Sequence, residues 1–296
     1  MLRAALSLLL VLGVLVAGCG EGDGAAPGTL TVVATTTQAA DLVRNVGEDV
    51  EVVGLLAPNT DPHEYEVRPR DLQALAEADL VVRSGGDLDE WLGEAIEGSG
   101  TDAPVLTLSD GGDPHWWQDP RAAVRAVGEI ERALSEADSG RAAAYSEAAR
   151  AYTQRLRALD HAVADCIAEV PAAQRKLVTT HDAFGAYARR YGIEVIGAVI
   201  PSMSTSGQPS AGETAELIET ILRENIKAIF AEHSIDAKVE RAIARETGAR
   251  VGDALWADTL GPPGSGGETY VDSIAANTRA LVEGFSGGKL SCRIDA

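Results

Sequence analysis

The sequence predicts an α/β protein of two lobes, each a parallel sheet flanked by helices. One long rigid α-helix joins the lobes, and a ligand site lies between them. Three observations carry this reading. Short β-rich runs alternate with amphipathic segments from Thr29 to Leu108. No strand signal occurs between Asp119 and Val170, and the alternation then resumes at Lys176 and continues to Phe285. Such alternation marks βαβ units and therefore parallel sheets.

The elements follow in chain order. Arg3 precedes an apolar run, Ala4 to Ala17, that is too short to span a bilayer and has the form of a signal-peptide core. Leu15-Val16-Ala17-Gly18-Cys19 has the form of a bacterial lipobox. Residues 1–18 are thus expected to be a signal peptide, with Cys19 lipidated. Residues 19–28, rich in Gly, Ala and acid, are expected to be a flexible tether. The protein would then be exported and lipid-anchored to the outer face of the cytoplasmic membrane, at the cell surface or in a periplasm.

Residues 29–139 form the expected amino-terminal lobe. Its strands are Leu30–Ala34, Val50–Leu55, Leu80–Val82 and Val105–Leu108, with an amphipathic helix at Pro69–Ala78. Ala149, Tyr152, Leu156, Leu159, Val163, Cys166 and Val170 recur at steps of three and four, one stripe of a helix expected over 140–170. About thirty residues make a rod roughly 45 Å long, and Pro171 ends it. Residues 171–296 form the second lobe. Its strands are Lys176–Thr180, Glu194–Gly197, Ala228–Ala231 and Val251–Trp256; its helices are Ser210–Glu224, Ala237–Thr247 and Glu268–Phe285, with one more opening at Asp182.

A formal charge of −20 excludes nucleic acid, whose phosphates it would repel, and weakly favours cationic ligands. Beyond Cys19 two cysteines remain, Cys166 and Cys292. In an exported chain an even remainder points to a disulfide; two separate buried thiols is the other reading.

Of five histidines, His161 lies off the apolar stripe and reads as a solvated helix residue. The others follow strands or begin loops. His63 and His115 each sit in Asp-Pro-His, where proline stiffens the backbone and holds the preceding aspartate extended. His181 follows its strand directly, and His233 follows Glu232 after the Ala228–Ala231 strand. Ligands in α/β folds collect at the carboxyl ends of strands, and imidazole suits zinc and its first-row neighbours. Asp258, after the last strand and before a Gly/Pro-rich loop, supplies an anionic fourth donor. Three histidines and an aspartate complete a tetrahedral set.

These motifs resemble those of the zinc- and manganese-binding lipoproteins that serve bacterial ABC importers. The resemblance rests on Asp-Pro-His-Glu-Tyr-Glu at 61–66, Asp-Pro-His-x-Trp-x-Asp-Pro at 113–120, His-Asp-Ala-Phe at 181–184 with Tyr-Gly at 191–192, and Asp258 before the glycine-rich loop. It covers the chain from Thr29 to Phe285. It implies that His63, His115, His181 and Asp258 bind one divalent ion, that the long helix is the rigid backbone between lobes, and that an ABC permease with its ATPase are separate partner chains. Zinc is expected from the nitrogen-rich donors, with manganese as the alternative. Glu232 is expected either to hold a ligating imidazole from outside or to cap the next helix; His233 is an unplaced extra that could stand beside the ligands or at the surface. Release is expected from movement of the loops carrying His181 and Asp258, and the protein is expected to be a monomer.

Other classes fit less well. A secreted zinc hydrolase needs an open coordination position, which four protein ligands leave no room for, and no His-Glu-x-x-His occurs. "GFSGGKLS" lacks the spacing of a phosphate-binding loop. A surface adhesin is compatible with export and remains open. The chain is not expected to be an enzyme.

Overall fold

The computed structural model describes residues 29–294 apart from Asp110. The expected signal peptide, Cys19 and the tether lie outside the described residues.

The first lobe is built on four parallel strands, β1 (Thr31–Ala34), β2 (Glu51–Gly54), β3 (Leu80–Arg83) and β4 (Val105–Thr107), in the order β2-β1-β3-β4. Central β1 and β3 are buried almost throughout, as two-sided burial of a parallel sheet requires. Helices α2 (Pro69–Ala76) and α3 (Leu92–Ser99) cover one face, where Leu75, Leu92 and Ala95 pack on Val33, Val81 and Leu55. Helices α1 (Thr37–Val46) and α4 (Pro120–Ala137) cover the other. Asp119 caps α4 by accepting from the Arg121 amide, with Pro120 in the first turn.

The strand-free region holds two helices. Helix α4 ends at Asp138, a short 3-10 turn (Ser139–Arg141) follows, and α5 runs over Ala142–Ala168. Its 27 residues make a rod of about 40 Å. The expected stripe is its buried face: Ala149, Tyr152, Leu156, Leu159, Val163 and Cys166. Helix α5 packs on α1 and α4 of the first lobe and on α6 (Gly185–Tyr191) and α9 (Tyr270–Ser286) of the second.

The second sheet is less regular. Strands β5 (Lys176–Thr179) and β6 (Glu194–Ala198) pair with a register shift after Leu177, and β7 (Ala228–Ile229) and β8 (Arg250–Val251) pair over two residues each. Isolated bridges Thr179–Phe230 and Glu232–Leu255 connect them further along. The longer strands expected at Ala228–Ala231 and Val251–Trp256 are thus two short ladders with single bridges beyond. Helices α7 (Ala211–Glu224) and α8 (Lys238–Thr247) cover the outer face. Ser210 and Glu213 form a reciprocal capping box at the start of α7. Helix α6 opens at Gly185 rather than Asp182, because the chain first bends through residues 180–182.

One apolar core runs through both lobes. Val32 and Val82 of the first sheet, Leu156 and Val163 of α5, and Phe230 and Leu281 of the second lobe belong to a single buried cluster. Cys166 and Cys292 are joined by a disulfide with Cα atoms 5.7 Å apart, fastening the tail to α5.

Candidate metal centre

His63 and His115 arrive from the two edge strands of the first sheet, β2 and β4, whose following loops fold over its carboxyl edge. Each histidine is set by the aspartate two residues before it. Asp61 Oδ1 accepts from the His63 amide at 2.9 Å, and Asp113 Oδ1 accepts from the His115 amide at 3.0 Å. Proline between them fixes φ, so the motif is a closed local turn with the imidazole as its product.

His181 comes off β5. Thr179 donates its hydroxyl to the His181 carbonyl at 2.6 Å, holding the bend. The Thr179–Phe230 bridge sets Glu232 alongside, and Glu232 Oε1 lies 2.7 Å from His181 Nδ1 while accepting the His181 amide at 3.1 Å. With Nδ1 facing a carboxylate, Nε2 is left to face the cluster.

Asp258 is held from both lobes. Asn277 of α9 clasps Trp256 through its amide and carbonyl, each at 2.8 Å. Trp117 and Gln118 of the first lobe donate to the Ala257 carbonyl at 3.0 and 2.9 Å. Leu260 donates to Thr37 Oγ1 at 2.8 Å and its carbonyl accepts from Asn59 at 3.0 Å. The glycine-rich loop lies flat on Trp256: a Cβ on Gly267 would fall 2.0 Å from the indole nitrogen. The Asp258 segment belongs to the second lobe by sequence and is bonded into the first by contact. These bonds tie the Asp258 loop, one of the two loops expected to move on release, to the first lobe.

The four side chains converge, one ligand atom from each lying within 4.8 Å of the others. Asp258 is the hub. Its Oδ2 lies 3.3 Å from His63 Nε2 and 3.1 Å from His181 Nε2, and its Oδ1 lies 3.2 Å from His115 Nε2. His115 Nε2 and His181 Nε2 are 3.3 Å apart. A tetrahedron with metal–donor bonds of about 2.0–2.1 Å has edges of about 3.3–3.4 Å, so these spacings fit a first-row ion. His115, His181 and Asp258 are buried, and the His63 side chain nearly so. Three buried atoms of these residues, His63 Nε2, Asp258 Oδ1 and His115 Nδ1, have no hydrogen-bond partner; a cation in the cluster would satisfy the first two, which are otherwise costly.

The electrostatics agree. Burial opposes ionisation of Asp258, but His181 and His115 outweigh it and hold the carboxyl well below its usual range. Burial likewise opposes protonation of His115, but Asp258 and Asp113 push it up to about 9. His181 is raised in the same way by Asp258 and Glu232. Burial pushes Glu232 up, partly offset by His181. Protons thus hold His115 and His181 around one carboxylate at neutral pH, where a cation would take their place.

The other predicted residues fall outside the cluster. His161 is exposed on α5. His233 is exposed and stacks on Trp256, ring centroids 3.6 Å apart and nearly parallel, and is not one of the four. The sequence reading missed both aspartates of the Asp-Pro-His motifs as turn-closing residues; the identical spacing in the two copies was the available signal.

Two parallel-sheet lobes with a buried three-nitrogen, one-carboxylate cluster at their junction define a metal-ion-binding protein. The profile of the family described as zinc-uptake complex component A, periplasmic, matches residues 32–284, and the chain belongs to that family. It is 33% identical to the zinc-binding protein TroA of Treponema pallidum, over 89% of this chain and 91% of that one. It is 28% identical to the manganese-binding lipoprotein MntA of Halalkalibacterium halodurans, over 94% and 97%. The solved structure of the Treponema pallidum periplasmic zinc-binding protein superposes with a TM-score of 0.81 at 30% identity, covering 87% of this chain and 99% of that one.

Proposed function

We propose that this chain captures one divalent transition-metal ion outside the cytoplasm and hands it to an ABC import permease driven by a separate ATPase, and is not an enzyme. The carrying observation is the hub geometry: one carboxylate within 3.3 Å of three imidazole nitrogens, all four side chains supplied by loops at the lobe junction. His63, His115, His181 and Asp258 are the ligands, and Glu232 fixes the His181 tautomer from outside. The cargo is zinc, because nitrogen-rich sites favour it over manganese. A manganese reading is supported by the oxygen pair of Asp258, both atoms of which face the cluster, and by the relative named for manganese. Lipid attachment at Cys19 would keep the carrier at the outer membrane face, as a monomer, with α5 as its stiff member between lobes.

The test is calorimetric titration of chelator-stripped protein with zinc and with manganese, backed by metal analysis. One zinc per chain, held at least about a hundredfold tighter than manganese, is expected. Manganese preferred over zinc would move the cargo to the second reading, and absence of any stoichiometric ion would overturn the function.

A further inference from the structure

The aspartates of the two Asp-Pro-His motifs each have a second oxygen, and both send it across the lobe junction. Asp61 Oδ2 accepts from Thr205 Oγ1 at 2.7 Å. Asp113 Oδ2 accepts from Arg189 Nη2 at 2.9 Å. Thr205 lies in the loop between β6 and α7, and Arg189 on α6, the helix that follows His181. Ser206, next to Thr205, adds a long contact at 3.4 Å from its hydroxyl to the His63 carbonyl.

Both contacts stand where water reaches the junction. Asp61 and Thr205 line a cleft of about 350 Å³, and Asp113 and Arg189 line another of about 300 Å³. Gly185 lets the second contact form, since a Cβ there would lie 3.1 Å from both Asp113 Oδ2 and the Arg189 guanidinium. The motif is therefore used twice in the same way, with one oxygen on the histidine's own amide and the other on the opposite lobe.

We propose that Asp61–Thr205 and Asp113–Arg189 are paired latches that hold the His181 side of the site against the two Asp-Pro-His loops and set how fast the ion leaves. Thr205 and Arg189 are positioning residues: neither belongs to the cluster, and each acts on a ligand through the aspartate that turns it. Because the Asp258 segment is bonded into the first lobe, opening separates His181 from the other three ligands, and the latches resist that separation. This inference rests on the metal-carrier reading above.

The experiment uses the full chain in detergent with Thr205→Val, Thr205→Ser, Arg189→Leu and the Thr205→Val/Arg189→Leu double variant. Zinc dissociation is followed by stopped-flow chelator competition, zinc association separately, and amide hydrogen exchange on the metal-free protein. Thr205→Val should speed dissociation about 3–10-fold, the scale of one hydrogen bond. Arg189→Leu should speed it about 2–5-fold, because an exposed cation is screened. The double variant should approach the product, and Thr205→Ser should restore the parent rate. Association and the metal-free melting temperature should hold, while exchange in residues 202–206 rises in Thr205→Val. Parent dissociation rates in the double variant would overturn the latches, as would loss of association and melting temperature together. A parent chain that binds no stoichiometric zinc would overturn the carrier reading and the latches with it, whereas tight zinc binding with parent release rates in the double variant would overturn the latches alone.

Discussion

His63 and His115 are each turned by an aspartate two residues earlier, whereas His181 and Asp258 are placed by groups far along the chain. In the first lobe the ligand-bearing loops leave a four-stranded sheet with continuous ladders. In the second, β7 and β8 pair over two residues and single bridges carry the sheet onward. Precision there comes from tertiary bonds: Glu232 to His181 across 51 residues, and Trp117 to the Ala257 carbonyl across 140. One lobe positions its ligands locally, and the other depends on the assembled fold.

Breaking the hub should have the largest effect. Among the described residues Asp258 is the one anion within reach of all three imidazoles, so Asp258→Ala should weaken zinc binding by a thousandfold or more, as isothermal titration would show. Loss of a donor from either lobe, as in His115→Ala or His181→Ala, should also be severe. Near-parent affinity in Asp258→Ala would remove the hub and the comparison with it.

Proton competition should come next. Because Asp258 raises His115 to about 9 and raises His181 as well, both carry protons in the metal-free protein at neutral pH. Zinc must displace them, so affinity should fall as pH drops from about 9, approaching a hundredfold per unit where two protons are released. Free imidazole at ~6.5 would have put the onset near pH 6; the buried carboxylate moves it up. The metal-free fold shows the opposite sign. A group whose folded pKa exceeds its unfolded value stabilises fully below the unfolded pKa and ceases to as pH rises through the folded one. The metal-free melting temperature should therefore fall between about pH 6.5 and 9 while the zinc-loaded one does not. Calorimetry in buffers of different ionisation enthalpy should count about two protons released per ion at pH 7.5.

Glu232 sharpens the contrast between lobes. It holds His181 Nδ1 at 2.7 Å, whereas Asp113 Oδ1 stands 3.7 Å from His115 Nδ1, beyond a hydrogen bond. Glu232→Gln should lower affinity about 10–100-fold, the usual effect of removing a carboxylate behind a ligating imidazole. An unchanged affinity would mean that the strand bridge alone sets His181.

Most of the fold was legible because its signals are local. Strand–helix alternation and the α5 stripe depend on residues within a few positions. The bounds of α4 were not, since the segment before residue 140 reads only as strand-free. The short ladders of β7 and β8 were not either: apolar runs report burial, and Phe230 and Leu255 are buried whether or not they pair along their length. At the site, the four converging residues were readable from strand ends and Asp-Pro-His spacing. The bonding of the Asp258 segment into the first lobe was not, since Thr37, Asn59, Trp117 and Gln118 carry no mark of it in sequence.

A smaller effect, on stability alone, is expected at the disulfide. Cys166 and Cys292 close a loop across 126 positions, worth at most about 4–5 kcal/mol in the chain-entropy account. The bond fastens the tail to the shared core and none of the metal ligands. Cys166→Ser/Cys292→Ser should lower the melting temperature and leave zinc affinity within about twofold. A large affinity loss would mean that the tail helps hold the lobes in register.

His233→Ala should do least. A histidine after a strand and beside Glu232 has the sequence credentials of His181, yet its ring lies against Trp256 at 3.6 Å, and burial holds its pKa down. Burial outweighs the one carboxylate that acts on it, Asp253. Trp256 is already fixed by Asn277 and by the glycine-rich loop beneath it, so removing the stack should leave Asp258 in place. Zinc affinity within about twofold of the parent is expected, with the melting temperature lowered by a few degrees at most, since a stacked pair contributes about 0.5–1.5 kcal/mol. A tenfold loss of affinity would show that Trp256 transmits position to Asp258. The second lobe's dependence on assembled contacts would then extend one residue further than its hydrogen bonds reach.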